Sequence, residues 1–203
     1  MSRRLITRAN IVNNSVLKNL TLNDFGFWSG STLVTVIFSL FVIDQIPGAT
    51  VTDAGIASMI FTIVSALVNI PLGNYMDKKK GLVDETVFLS LSSIIRGIAL
   101  IYMAYTSTLT GLYLVQIVLG IAKGLNTTAW RVLFNKFLDE GHKAAQFGVY
   151  ETVMSFGMGI AAFLSGYIAD KAGYDIVMII AGIMTLISTV FPLLSIKDIK
   201  AKV

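Results

Sequence analysis

Residues 54–76 read AGIASMIFTIVSALVNIPLGNYM, twenty-three residues without a charge, and are closed by Asp77 and Lys78. At about 1.5 Å of rise per residue, a helix of that length crosses the roughly 30 Å of hydrocarbon in a bilayer. Working outward, the pattern recurs. Residues 25–43 and 176–196 are also free of charge. Residues 86–106, 109–130 and 147–168 carry one charge each, Arg96, Lys123 and Glu151. Backbone amides find no water in lipid, so each run must satisfy its own hydrogen bonds as a helix. The expectation is an all-α membrane protein with six transmembrane helices over those ranges.

Composition agrees and excludes other classes. The chain of 203 residues is 55% hydrophobic and 14% charged, against about 25% charged in soluble domains. Mean hydropathy is +0.75. Too few polar residues remain to cover a water-soluble globule. Cysteine is absent, and the single histidine, His142, sits in a polar run. No metal centre, cofactor or His-based triad is expected. No phosphate-binding glycine loop, dinucleotide fingerprint or catalytic serine motif occurs, so an enzyme is not expected.

Residues 1–22 are set apart as a cytoplasmic N-terminal segment. Leu5, Ala9, Val12, Val16 and Leu20 recur there at helical spacing, as on an amphipathic surface helix. Residues 23–196 form the membrane domain and 197–203 a polar tail. With six spans both termini share one side. That side collects Arg3, Arg4, Arg8, Lys18, Lys78, Lys79, Lys80, Arg131, Lys136, Lys143, Lys197, Lys200 and Lys202, whereas the opposite loops hold Lys171 alone. Basic residues stay on the cytoplasmic side during insertion. Both termini are therefore expected inside a plasma (inner) membrane. The asymmetry accounts for most of the net charge of +4, and no nucleic acid is needed to explain it.

Gly73-Asn74-Tyr75-Met76-Asp77-Lys78 closes the second run and Gly166-Tyr167-Ile168-Ala169-Asp170-Lys171 closes the fifth. The shared Gly-x-x-x-Asp-Lys recurs three helices apart, which places the copies on opposite sides of the membrane. That is the mark of a 3+3 inverted repeat. With these motifs the chain resembles the major facilitator superfamily, whose loop after helix 2 reads Gly-x-x-x-Asp-Arg/Lys-x-Gly-Arg/Lys-Arg/Lys. Gly73, Asp77 and Lys78 match, while Lys80 stands where the second glycine belongs and Gly81 follows one place late. In the second copy Gly166, Asp170, Lys171 and Gly173 are in register, and Tyr174 replaces a basic residue. Gly120-x-x-x-Gly124 resembles the family's fourth helix, with Gln116 where arginine is common.

The resemblance spans about residues 23–196, one six-helix half of a family that joins two. It implies a secondary transporter of small solutes working by alternating access. A half alone leaves a polar cavity wall against lipid, so a homodimer is expected. The alternatives are a non-transporting accessory protein, a half that pairs with a different half, and a fragment of a longer carrier. By the same resemblance Asp77 latches one conformational state, with Gly73, Lys78, Gly166, Asp170 and Lys171 completing the motif pair.

Charges at mid-membrane are costly, about 2.5–3.5 kcal/mol each on insertion scales. Lys123 and Glu151 fall at similar depths on neighbouring antiparallel helices, so an ion pair between them is one expectation. Lys123, Asn126 and Gln116 share a helical stripe, which the family resemblance turns toward the substrate path. Lys123 is then a candidate for an anionic substrate and Glu151 for proton coupling, with a purely structural ion pair left open. Arg96, on a helix that is peripheral in the family, is a further candidate. Gly157, Ala161 and Ser165 recur every fourth residue, a spacing that lets helices approach closely. They are the candidate subunit interface. Trp28, Tyr102, Tyr105, Tyr113 and Trp130 are expected mostly as residues of the membrane-interface belt.

Overall fold

The computed structural model describes residues 14–78 and 81–202. Arg3, Leu5, Ala9 and the rest of residues 1–13, with Lys79, Lys80 and Val203, lie outside the described residues. The chain is all helical: α1 Ser15–Gln45, α2 Val51–Lys78, α3 Val83–Met103, α4 Leu109–Phe137, α5 Lys143–Ala172, α6 Tyr174–Ser188, α7 Val190–Leu194 and α8 Ile196–Lys202. Among the described residues, six segments are long and apolar enough to cross a membrane, the sixth running Tyr174–Lys200 through α6, α7 and α8.

Helix ends follow local chemistry. The Asn14 side chain accepts from the Leu17 amide and opens α1, and Thr108 Oγ1 accepts from the Gly111 amide and opens α4. Thr50 and Asp53 form a reciprocal capping box before α2: the Thr50 amide donates to Asp53 Oδ2 at 2.8 Å, and the Asp53 amide donates to Thr50 Oγ1 at 3.4 Å. Gly173 alone separates α5 from α6, at φ +91°, a backbone conformation that a side chain would strain.

Two differences from the sequence reading stand out. The first helix starts at Ser15, ten residues before the charge-free run, so residues 15–22, with Val16 and Leu20, lie within it rather than in a separate surface segment, and Asn23 and Asp24 sit inside the helix. The sixth span breaks at Thr189 and Ser195, where backbone bonds run to Leu186 and Pro192, three residues back. Pro192 has no N–H to offer the preceding turn, and its ring crowds that turn. By contrast α2 runs unbroken through Pro71.

The closest helix pairs are α2 with α4, α3 with α4, α1 with α5, α3 with α6 and α1 with α6. Glycines set several of these crossings. A Cβ on Gly124 would stand 2.7 Å from Val68 Cβ and 3.0 Å from the Ser65 carbonyl oxygen, and one on Gly97 would stand 2.8 Å from the Gly182 carbonyl oxygen. The core has two clusters. One lies around Phe41, Leu100, Leu112 and Met178, the other around Leu20, Leu133, Phe134 and Tyr150. Helices α2 and α5 stay largely uncovered. Only 17% and 22% of their most apolar stretches are buried, against 44–56% for α1, α3 and α4.

Candidate functional site

Asp24 lies nine residues into α1, about 14 Å along its axis, and is 1% exposed. Its Oδ2 accepts a 2.7 Å hydrogen bond from the hydroxyl of Tyr150 on α5, which is also buried. Its Oδ1 has no partner. Asn126 of α4 lies beside the same carboxyl, fully buried, with neither amide atom bonded. Trp130 Nε1 and Thr127 Oγ1 are also buried and unbonded. Buried polar groups in folded proteins are nearly always satisfied, so a cluster of open ones marks a place with work to do.

These groups border a cavity of about 350 Å³ between α1, α4 and α5, lined by Asp24, Trp28, Asn126, Thr127, Trp130, Arg131, Tyr150, Glu151, Met154 and Met158. Its back wall is aromatic. Trp130 stacks on Phe134 with ring centres 4.3 Å apart, Tyr150 lies 4.7 Å from Trp130, and Phe147 closes on Phe134 at 5.1 Å. Such packing holds the Trp130 and Tyr150 rings rigidly at the cavity edge.

The residues expected from sequence do not converge on one point. Asn126 is in the cavity wall. Glu151 also lines it but is exposed. Lys123 stands outside the lining, its ammonium 4.8 Å from the centre of the Phe61 ring on α2. Among the described residues it makes no ion pair with Glu151. Counted from the facing ends of α4 and α5, Lys123 lies about 21 Å in and Glu151 about 12 Å, and Lys123 faces Phe61 of α2 while Glu151 lines the cavity. Gln116 lies about 10 Å nearer the start of α4 than Lys123, where the neighbour is α3, and its amide reaches Met103 Sδ at 3.9 Å. The expected stripe is therefore divided among three neighbours. Arg96 is buried with its guanidinium 4.6 Å from the Phe27 ring centre, and its Nε and Nη1 are unbonded.

Gly157, Ala161 and Ser165 are buried against α1, not on a free surface. A Cβ on Gly157 would strike the Phe25 ring and stand 2.9 Å from Ser29 Oγ, and the Ser165 hydroxyl donates to the Leu33 carbonyl. The subunit-interface reading of this stripe is corrected: close approach is used within the chain. Gly73 and Gly166 behave oppositely, since a Cβ on either would meet nothing within 4 Å. Asp77, Lys78, Asp170 and Lys171 are exposed at the ends of α2 and α5. Trp28 and Trp130 belong to the cavity rather than to an interface belt. The Tyr113 hydroxyl donates to Asp53 Oδ1 at 3.0 Å, and Tyr102 and Tyr105 remain exposed.

Sequence reasoning missed Asp24 and Tyr150. Asp24 borders the charge-free run, and only the apolar spacing of Val16, Leu20 and Phe27 through it shows that the helix continues.

The comparisons with known proteins fit this architecture. An uncharacterized MFS-type transporter of Bacillus subtilis (strain 168), YitZ, is 26% identical over 140 residues, 69% of this chain and 82% of that protein. A second, MJ1560 of Methanocaldococcus jannaschii, is 21% identical over 155 residues, 76% of this chain but 39% of that protein. The crystal structure of the POT family transporter PepTSo superposes with a TM-score of 0.67 at 14% identity, over 91% of this chain and 37% of that one. The chain thus spans well under half of two of the proteins it matches. The sequence profile of the Major Facilitator Superfamily matches residues 20–202, nearly the whole chain, and the protein belongs to that superfamily of membrane transporters.

Proposed function

We propose that the chain is a half-size secondary transporter of small solutes. Two copies, related by an axis along the membrane normal, enclose the Asp24 cavity and open it alternately to the two sides. The observation that carries this reading is the cavity itself: a buried carboxyl and a buried amide with open bonding positions, beside the Trp130–Tyr150 edge of the second core cluster. Its outer lining, Arg131 and Glu151, is exposed; charges left against lipid are costly, and a second six-helix bundle over that opening removes the cost.

The packing supports an inverted repeat. Exchanging α1 with α4, α2 with α5 and α3 with α6 carries α2–α4 packing onto α1–α5 and α3–α4 onto α1–α6, and leaves α3–α6 in place. In this reading the uncovered faces of α2 and α5, with open Gly73 and Gly166, meet the second bundle, and Asp77 and Asp170 latch opposite ends. The end carrying Lys18, Lys78, Arg131, Lys136, Lys143, Lys197 and Lys200 is cytoplasmic in a plasma membrane. A proton is the coupling ion and Asp24 its carrier, in place of exposed Glu151. The charged and titratable groups facing Asp24 are Arg131 of α4 and Tyr150 and Glu151 of α5. Lys123 remains a candidate for an anionic group further along the path.

Pairing with a different six-helix half is the second reading. It is favoured by the 39% and 37% of MJ1560 and PepTSo that the chain spans. The 82% coverage of YitZ, itself a chain of half-carrier length, favours two like copies.

The chain has no cysteine, so Thr127→Cys places a single thiol in the lining. A membrane-impermeant thiol reagent added to sealed vesicles of each orientation tests the reading. Reaction from both sides is expected for a carrier. A thiol unreactive from both sides means a dry, scaffold-like interior and ends the transport proposal.

A further inference from the structure

Beside the neutral Asn126 and Thr127, the groups that line the inner part of the cavity offer electron density. Asp24 presents a carboxyl oxygen with no partner. Trp28, Trp130 and Tyr150 present aromatic rings, and Met154 and Met158 present thioethers. Ring faces carry the negative part of the aromatic quadrupole, and a desolvated cation over Trp or Tyr is held more strongly than one in water. Thioethers are soft and polarizable and adapt to irregular apolar shapes. The one basic group in the lining, Arg131, is exposed, and exposed Glu151 lines the same cavity with the opposite charge. Lys123 is engaged on Phe61, outside the lining. The cavity of about 350 Å³ is at the small end for a ligand site.

From this arrangement we infer that the site takes a small lipophilic organic cation, an aromatic or alkyl ammonium, with the charge against Asp24 and its apolar body among Trp28, Trp130 and the two methionines. Asn126 and the Trp130 indole N–H meet a polar substituent. The inference rests on the reading of this cavity as the transport site and adds its substrate class. An anion meets a carboxylate there, and a neutral solute brings no charge to replace the proton that Asp24 carries, so both are disfavoured.

The test uses a property of the sequence. The chain has two tryptophans, and both line this cavity, so intrinsic fluorescence reports on it without a label. The protein, in phosphatidylcholine nanodiscs, is titrated with 1-benzylpyridinium, a cation that quenches indole on contact. Displacement is then followed with benzyltrimethylammonium, benzyl alcohol and benzoate. Saturable quenching is expected, relieved by benzyltrimethylammonium at concentrations about tenfold or more below those needed for the neutral and anionic compounds. Asp24→Asn is expected to weaken 1-benzylpyridinium binding by about tenfold or more while leaving the emission maximum of the free protein in place. If benzyl alcohol or benzoate saturably perturbs the tryptophans and the cations do not, the cation assignment is wrong and the cavity remains a ligand site. If no compound acts saturably, the assignment and the site reading both fall. Cation binding that is unchanged by Asp24→Asn also overturns the inference.

Discussion

Removing one oxygen atom, by Tyr150→Phe, probes the site most sharply. The Tyr150 hydroxyl donates at 2.7 Å to Asp24 Oδ2, and Asp24 Oδ1 has no partner. The substitution therefore removes the 2.7 Å hydrogen bond on Oδ2, at a position 1% exposed. A bond to a charged group contributes about 1.5–3 kcal/mol, against about 0.5–1.5 kcal/mol between neutral groups. Interhelical side-chain bonds in membranes average about 0.6 kcal/mol. Loss of about 1.5–3 kcal/mol in reversible unfolding from bicelles is expected for Tyr150→Phe. In an Asp24→Asn background the amide oxygen can still accept, the charge is gone, and the same change is expected to cost under about 1 kcal/mol. The cycle thus isolates a coupling of about 0.5 kcal/mol or more between α1 and α5. A Tyr150→Phe cost near 0.6 kcal/mol, equal in both backgrounds, would refute the claim that this pair is a charged, desolvated contact.

Other substitutions test the packing. Gly124→Val forces a branched side chain against Val68 and the Ser65 carbonyl and is expected to destabilise by at least about 1–3 kcal/mol, read by thermal unfolding. Gly73→Ala and Gly166→Ala meet open space within the chain. Their expected effect is on the association of copies, measured by subunit exchange, with unfolding of the single bundle unchanged. Arg96→Met replaces an unbonded buried cation on Phe27 and is expected to be neutral or stabilising. A loss above about 2 kcal/mol would mean that the guanidinium holds an anionic partner. Thr50→Ala removes half of the capping box of α2 and is expected to cost about 0.5–2 kcal/mol.

The six spans were legible because lipid imposes one rule on every crossing segment: about twenty residues, few charges, backbone bonds kept inside. That rule fixes where a helix must be apolar and says nothing of where it ends. The extra turns of α1, α4 and α5, carrying Lys18, Lys136 and Lys143, extend past the apolar runs in water, where charge does not oppose a helix. Asp24 was hidden for this reason: a charge count stops at it, while the helix does not. Asn126 was legible because an amide inside an apolar run has few explanations. The Lys123–Glu151 pairing was read from depth counted along the apolar runs; α4 and α5 extend past those runs by unequal amounts, and depth leaves rotation about the helix axis undetermined. The rotation is set by glycine contacts such as Gly124 on Val68 and Gly157 on Phe25, whose partners no spacing within one helix reveals. The Gly157, Ala161 and Ser165 stripe shows the same limit: spacing announces close approach and leaves the neighbour unnamed.

The central claim is that this six-helix bundle works as one of two like halves. Native mass spectrometry of the chain expressed alone and extracted directly into lipid nanodiscs measures it. Particles of twice the 22.0 kDa chain mass are predicted, surviving delipidation less well when Gly73 and Gly166 are both replaced by leucine. Particles of a single chain in lipid, at protein concentrations where the site binds ligand, would contradict it.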